Sequence, residues 1–358
     1  MIQTHMKRMV RAGQAVLMTL ALSAALPACV KKSSPESSQG SKLPPSGKVP
    51  TDPNAPIEEP PVPPPGPPNP LAGATLFVDP DSLAMLRAKH ADPATAAILN
   101  RIAQQPQALW MGGWNSNIFR AVEHFVARAK AAGAVPVMIA YNIPLRDCGQ
   151  YSQGGLKTLE EYKRWISDVA AGIGDDKAVV ILEPDALGHF QECLTDQQKK
   201  ERLEALNFGV RALRKNPNTA VYLDVGHARW LSVDEAVERL KEAGVEYANG
   251  FSLNVSNYVS TEENMAYGKA ISERIGGKHF VIDTSRNGAG PYEEAKTPEE
   301  AWCNPPGRKI GQAPTTDTGE PLCDGFLWLK RPGESDGQCQ GGPPAGQWFE
   351  ERALELAQ

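Results

Sequence analysis

No CxxC pair and no His/Cys cluster at zinc-ligand spacing occurs anywhere in the chain, so a structural zinc is not expected. No GxGxxG follows the first predicted strand and there is no P-loop, which leaves nucleotide binding without support. No cofactor or metal is called for. Strong charge of one sign is missing as well: 37 basic against 42 acidic residues leave a net charge of −5. Such a chain has no electrostatic attraction for nucleic acid or anionic lipid, and a neutral substrate is the simpler expectation. The apolar run from Ala15 to Ala28 is too short for a spanning helix. What remains is ordinary for a soluble globular protein, with 41% apolar and 22% charged residues in 358.

The first 70 residues stand apart. Lys7, Arg8 and Arg11 precede the apolar run, which ends in small residues and reads as an export signal over 1–29. Leu26-Pro27-Ala28-Cys29 looks like a bacterial lipoprotein processing box, which would put a lipid on Cys29; Pro27 is unusual there, and ordinary cleavage nearby is the alternative. A membrane partner is expected only through that lipid, with the protein lipid-anchored at the cell envelope or secreted. Residues 30–70 follow, with thirteen prolines between Pro44 and Pro70. Proline fixes φ and lacks an N–H, so this stretch is expected as a disordered, extended spacer. Five further cysteines lie at 148, 193, 303, 323 and 339; in an exported protein they favour disulfides, and their odd number leaves at least one over.

From residue 71 to 358 the pattern alternates between short apolar strands and helices, as one domain. Strands are predicted at 107–110, 135–141, 178–183, 219–224, 249–254, 279–283 and 325–330. Thr158 to Glu161 and Ser232 to Glu235 fit capping boxes. Leu203, Leu206, Val210 and Leu213 mark one apolar helical face, and a last helix is expected near Trp348 to Leu356. Near-continuous apolar strands alternating with helices argue for a parallel α/β sheet. Seven units point to a closed or nearly closed barrel, with an open doubly wound sheet as the rival.

Parallel α/β sheets place their chemistry at the C-terminal ends of strands. Those ends carry Trp110; Tyr141 with Asp147; Glu183 and Asp185; Asp224 with His227 and Trp230; Asn254; Asp283; and Lys330 with Glu334 and Asp336. A single Asp at such a place is often only a helix cap or turn. So many would share one mouth. Carboxyls crowded together raise one another's pKa, keeping one protonated near neutrality, as a glycosidic leaving group needs. Trp110, Trp230 and Trp302 offer faces for sugar rings, although any one of them could equally be core.

The residues resemble glycoside hydrolase family six. Tyr141-Asn142-Ile143-Pro144-Leu145-Arg146-Asp147-Cys148 with Gly154-Gly155 is similar to its first signature, and Val180 to Leu187, containing Glu183-Pro184-Asp185, to its second. Tyr222 to Trp230, Asn254 to Tyr258, Trp302 to Pro305 and Lys330 to Gly337 resemble later blocks. The resemblance implies a distorted seven-stranded β/α barrel and a cellulase that inverts the anomeric carbon. It implies Asp185 as general acid and Asp147 as the neighbour that raises its pKa. Tyr141 would lie beneath the distorted sugar, Ser152 would hold the attacking water, and Asp336 would act as base through water. It further implies Asp224, His227, Asn254, Lys330 and Glu334 as residues that bind glucose hydroxyls or order the site, and Trp110, Trp230 and Trp302 as stacking platforms. It pairs Cys148 with Cys193 and Cys303 with Cys339, leaving Cys323 spare.

Loops over the cleft separate internal from chain-end attack. The short segment after Asp336 argues for an open groove and an endoglucanase acting on cellulose or related β-glucan chains as a monomer. A cellobiohydrolase of the same family, a non-catalytic glycan-binding lipoprotein on this fold, and a hydrolase of another β-linked glucan are the alternatives.

Overall fold

Alternation along the strands decides the architecture. In the computed structural model, which describes residues 48–67, 69–191 and 193–358, Val137, Ile139 and Tyr141 point with Val179, Ile181, Ala220 and Tyr222 into one cluster. Met138, Ala140, Val180, Leu182, Val221 and Leu223 point the other way, into a larger cluster with the helices. Both sides of the sheet are buried, as a strand flanked by core on each face must be.

The strands are β1 (Leu109–Met111), β2 (Val137–Ala140), β3 (Ala178–Leu182), β4 (Thr219–Asp224), β5 (Gly250–Leu253), β6 (His279–Asp283) and β7 (Cys323–Leu327). They form one parallel sheet in the order β1-β2-β3-β4-β5-β6-β7. The curl brings its ends near each other: the Ala108 N–H donates to the Trp328 carbonyl at 3.0 Å, without a β1–β7 ladder. This is a distorted seven-stranded α/β barrel, as the strand count predicts, and the open-sheet rival falls away.

Helices α1 (Leu83–His90) and α2 (Pro93–Ala103) precede β1. Then α3 (Ile118–Ala131), α4 (Leu159–Ile173), α5 (Asp196–Arg214), α6 (Val233–Glu242), α7 (Thr261–Arg274) and the short α8 (Pro298–Trp302) connect the strands, and α9 (Glu350–Ala357) ends the chain. Both expected capping boxes form, and Thr195 with Gln198 makes a third on α5. The α5 face holds, with Leu206, Val210 and Leu213 fully buried. The last strand stops earlier than predicted. Phe326 to Leu329 is apolar throughout, but Trp328 leaves the sheet to pack between α1, α2 and α9, so the ladder ends at Leu327.

The leader, Cys29 and the spacer up to residue 47 lie outside the described residues. Residues 48–67 correct the expectation of a free spacer. They form no helix or strand, yet they lie against α4 and α5. Lys48 Nζ donates to the Ile173 carbonyl at 2.7 Å and pairs with Asp176, and Thr51 N–H donates to Asp168 at 2.8 Å. Arg164 donates to the Ala55 carbonyl, Arg211 to that of Pro60 and Arg214 to that of Pro64. Glu59 pairs with Lys163 and Arg211. Proline loses its N–H but keeps its carbonyl, and basic side chains of two helices supply the donors. Deleting residues 48–67 should therefore lower the melting temperature by ~2–5 °C, given the small worth of partly exposed pairs. Unchanged melting by differential scanning calorimetry would show this segment to be passive.

Candidate active site

Nine non-glycine residues among those described adopt left-handed φ, between 45° and 68°: Leu145, Asp147, Cys148, Glu183, Asp185, Asn254, Ser256, Asn304 and Gln340. All lie in connections leaving the C-terminal ends of strands. Such backbone costs about 1–3 kcal/mol per residue and persists where the surroundings impose it, commonly at functional sites.

Asp185 illustrates the reason. Its left-handed turn after β3 aims its N–H at the buried Asp224 carboxylate, 2.9 Å from Oδ1. Asp224 Oδ1 also accepts from Gly226 N–H at 3.1 Å, and Oδ2 from the Ser252 hydroxyl at 3.1 Å. Burial pushes Asp224 up to about 7, while these three donors favour its charged form. Asp185 rises well above the usual carboxylate range, first through burial and then through the charges of Asp224 and Asp147, with Lys330 opposing. The two titrate as a pair. The donors favour the charged form of Asp224, so of the two Asp185 is raised the further. Asp147 was expected to be the dominant repulsive neighbour; Asp224 is the stronger influence.

Asp147 itself is raised by burial. Its Oδ2 accepts from the Ser152 N–H at 2.7 Å, and His189 Nε2 lies 3.8 Å from Oδ1. Ser152 thus meets Asp147 through its backbone. Tyr141 lies buried in the same field, its phenol held well above its ordinary range by burial and by Asp185 and Asp147. Trp110 meets the Tyr141 ring edge-on at 5.2 Å, and the Arg146 guanidinium covers it at 4.6 Å.

Asp336 is a different kind of carboxylate. Arg286 lies at 2.8 Å and Lys330 Nζ at 3.1 Å, with the Asn304 N–H and Tyr258 hydroxyl also donating. Burial alone would raise it, but the two cations bring it down to about 2. Lys330 joins this centre to the other, since its charge also reaches Asp185.

His227 is held neutral at working pH, pushed down to about 4 by burial and by Arg229. Its ring lies 5.7 Å from that of Trp230, whose indole rests on the backbone at Gly188, where a Cβ would come within 2.4 Å of the ring. Trp302 faces Tyr151 at 6.2 Å, and the Tyr151 hydroxyl donates to Glu299 at 2.7 Å. The loop after β2 therefore touches α8, a bridge that loop length alone did not show. Asn254 is fully buried, its amide donating to the Val259 and Asp283 carbonyls, so it orders backbone. The Glu334 carboxylate pairs with Arg331 at 3.1 Å. Both disulfides are present, Cys148–Cys193 and Cys303–Cys339, with Cys323 buried and free, its thiol pushed up to about 12 by burial. Among the described residues no group of three or more His, Cys, Asp or Glu side chains is arranged to hold a metal.

Two strand-end carboxyls named in the sequence without an assigned role, and one residue not named there, build the site. Glu183 is fully buried, raised to about 7 by burial, and accepts from the Asn142 and Ile143 N–H groups, tying the loop after β2 to β3. Asp283 accepts from the N–H groups of Ser256, Ser285 and Lys330. Their signal was their place at strand ends. Arg286, in a Ser-Arg-Asn loop, gave no signal.

Because Asp336 sits at about 2 when folded and near ~3.9 when unfolded, its stabilisation is full above pH ~4 and fades as pH falls toward 2. Asp336→Asn leaves Arg286 and Lys330 without their counter-charge and should cost about 3 kcal/mol at neutral pH. The cost should narrow below pH ~4, read from urea unfolding midpoints; equal costs at both would contradict the charge assignment.

Residues 71–358 match "Glycosyl hydrolases family 6". The chain is 45% identical over 292 residues to Endoglucanase A of Cellulomonas fimi, covering 81% of this chain and 62% of that protein. It is 42% identical to Endoglucanase 1 of Streptomyces halstedii, covering 78% and 88% respectively. It thus spans about three-fifths of the Cellulomonas fimi relative's length. Identity to the probable cellobiohydrolase C of Aspergillus niger is lower, 28%, over 80% of this chain and 77% of that protein. Among solved structures, an endoglucanase from Mycobacterium tuberculosis in complex with methyl-cellobiosyl-4-deoxy-4-thio-β-D-cellobioside aligns with a TM-score of 0.77 at 46% identity, covering 80% of this chain and 98% of that one. With its barrel, its strand-end carboxyls and this match over 71–358, the chain belongs to glycosyl hydrolases family 6.

Proposed function

We propose that the chain is an inverting endoglucanase that cuts internal β-1,4-glucosidic bonds in cellulose or a related β-glucan. The observation that carries this is the unequal carboxyl pair: a protonated Asp185 at the mouth beside an ionised, fully hydrogen-bonded Asp224. Asp185 gives its proton to the glycosidic oxygen as the C1–O bond breaks, and water adds to C1 from the opposite face. Asp147 and Tyr141 lie beside the acid, where positive charge develops on the sugar. Asp336, clamped by two cations, is a fixed negative charge that orients water and draws off its proton through solvent. Relatives named endoglucanases stand at 42–45% identity, which favours internal attack. The Tyr151–Glu299 bridge favours the second reading, chain-end attack, because it spans two loops of the mouth. The leader further supports export, with Cys29 as a lipid attachment site in the cell envelope.

The test is digestion of carboxymethylcellulose by the full chain, followed by viscometry and proton NMR. A rapid fall in viscosity with α-anomer formed first supports the proposal; β-anomer first, or no cleavage, overturns it, and steady cellobiose release with little viscosity change selects chain-end attack. Asp185→Ala should lower kcat by about 10²–10⁴ on substrates with poor leaving groups. Asp224→Asn removes the charge that raises Asp185, so the alkaline limb of the kcat/KM profile should move to lower pH; a limb that stays in place would discount the pairing.

A further inference from the structure

Of the seven tryptophans, Trp114 is the one that stands exposed, at 56%. It sits at the tip of the turn between β1 and α3, and the turn is closed twice. The Asn115 N–H donates to the Gly112 carbonyl at 3.0 Å, and the Gly112 N–H donates to Asn115 Oδ1 at 3.0 Å. Asn117 then caps α3 by accepting from the Arg120 N–H. The indole is placed as firmly as the turn. A Cβ at residue 112 would lie 2.5 Å from two of its ring carbons, so only glycine lets the ring rest on the backbone there, as Trp230 rests at Gly188. The Arg146 guanidinium lies 5.4 Å from the Trp114 ring centroid and 4.6 Å from that of Tyr141. One guanidinium thus serves two rings, tying Trp114 to the aromatic floor beside Asp185 and Asp147. An indole fixed against backbone and cation yet left open to water is not explained by packing, because a core-forming ring would be covered.

We propose that Trp114 is a stacking platform for a further glucan ring on the β1 side of the cleft, beyond the rings served by Tyr141 and Trp110. This rests on the glucanase reading. The apolar face of a pyranose fits an indole whose position is already fixed, so little ordering is lost on binding. The platform makes longer chains better substrates than short ones.

The experiment compares the full chain with Trp114→Ala and Trp114→Phe on cellotetraose, cellopentaose and cellohexaose. It pairs hydrolysis kinetics with calorimetric binding to the Asp185→Ala background and with melting temperatures. Trp114→Ala should raise KM for cellohexaose about tenfold more than for cellotetraose. Trp114→Phe should restore most of the difference, since it keeps a ring. A KM change equal at all chain lengths, or none, overturns the platform. If Trp114→Ala melts early, the Phe variant and the wild-type length dependence decide: wild type with no gain in affinity from cellotetraose to cellohexaose overturns it as well. Length-dependent binding through Trp114 without hydrolysis would leave the platform standing and remove the glucanase reading instead.

Discussion

The Asp185 peptide N–H bonded to the buried carboxylate of Asp224 is the contact on which the site depends. It forces residue 185 into left-handed backbone and presses two acidic groups together, both unfavourable in isolation. Three donors, from the connections after β3 and β4 and from β5 itself, offset the burial of Asp224, while the charge they favour there pushes Asp185 up.

The same device recurs around the mouth. Glu183 gathers the backbone after β2, and Asp283 gathers the connections after β5, β6 and β7. Each is a buried carboxylate satisfied by peptide N–H groups, so it fixes loops that no strand ladder reaches. A buried network of this kind rigidifies only when every member is satisfied, which is why the loss of one acceptor would disorder several loops together. Asp336 follows a different rule: its partners are full cations, and it is the one carboxyl of the site drawn below the usual range.

The strands and their order were legible because the barrel walls are apolar on both faces and the helices carry their caps, as at Thr158 and Ser232. The end of β7 was not, since Trp328 continues the apolar run while facing another cluster. The candidate carboxyls could be found at strand ends, but their division of labour could not. Asp224 and Asp336 look alike in sequence; only the donors of Ser252 and Gly226 in one case, and the charges of Arg286 and Lys330 in the other, separate them. Ser252 and Arg286 lie far along the chain from the carboxyls they meet, and nothing in the sequence beside Gly226 or Lys330 marks either as a partner. Arg211 and Arg214 likewise gave no sign that proline carbonyls would be their acceptors.

That last arrangement has a directional consequence. Lys48 is fastened at the end of α4, beside Asp176 and just ahead of β3, at the barrel's base. The first described stretch of the chain is therefore held at the end of the barrel opposite the acidic rim, so its contacts and the site do not compete for one face.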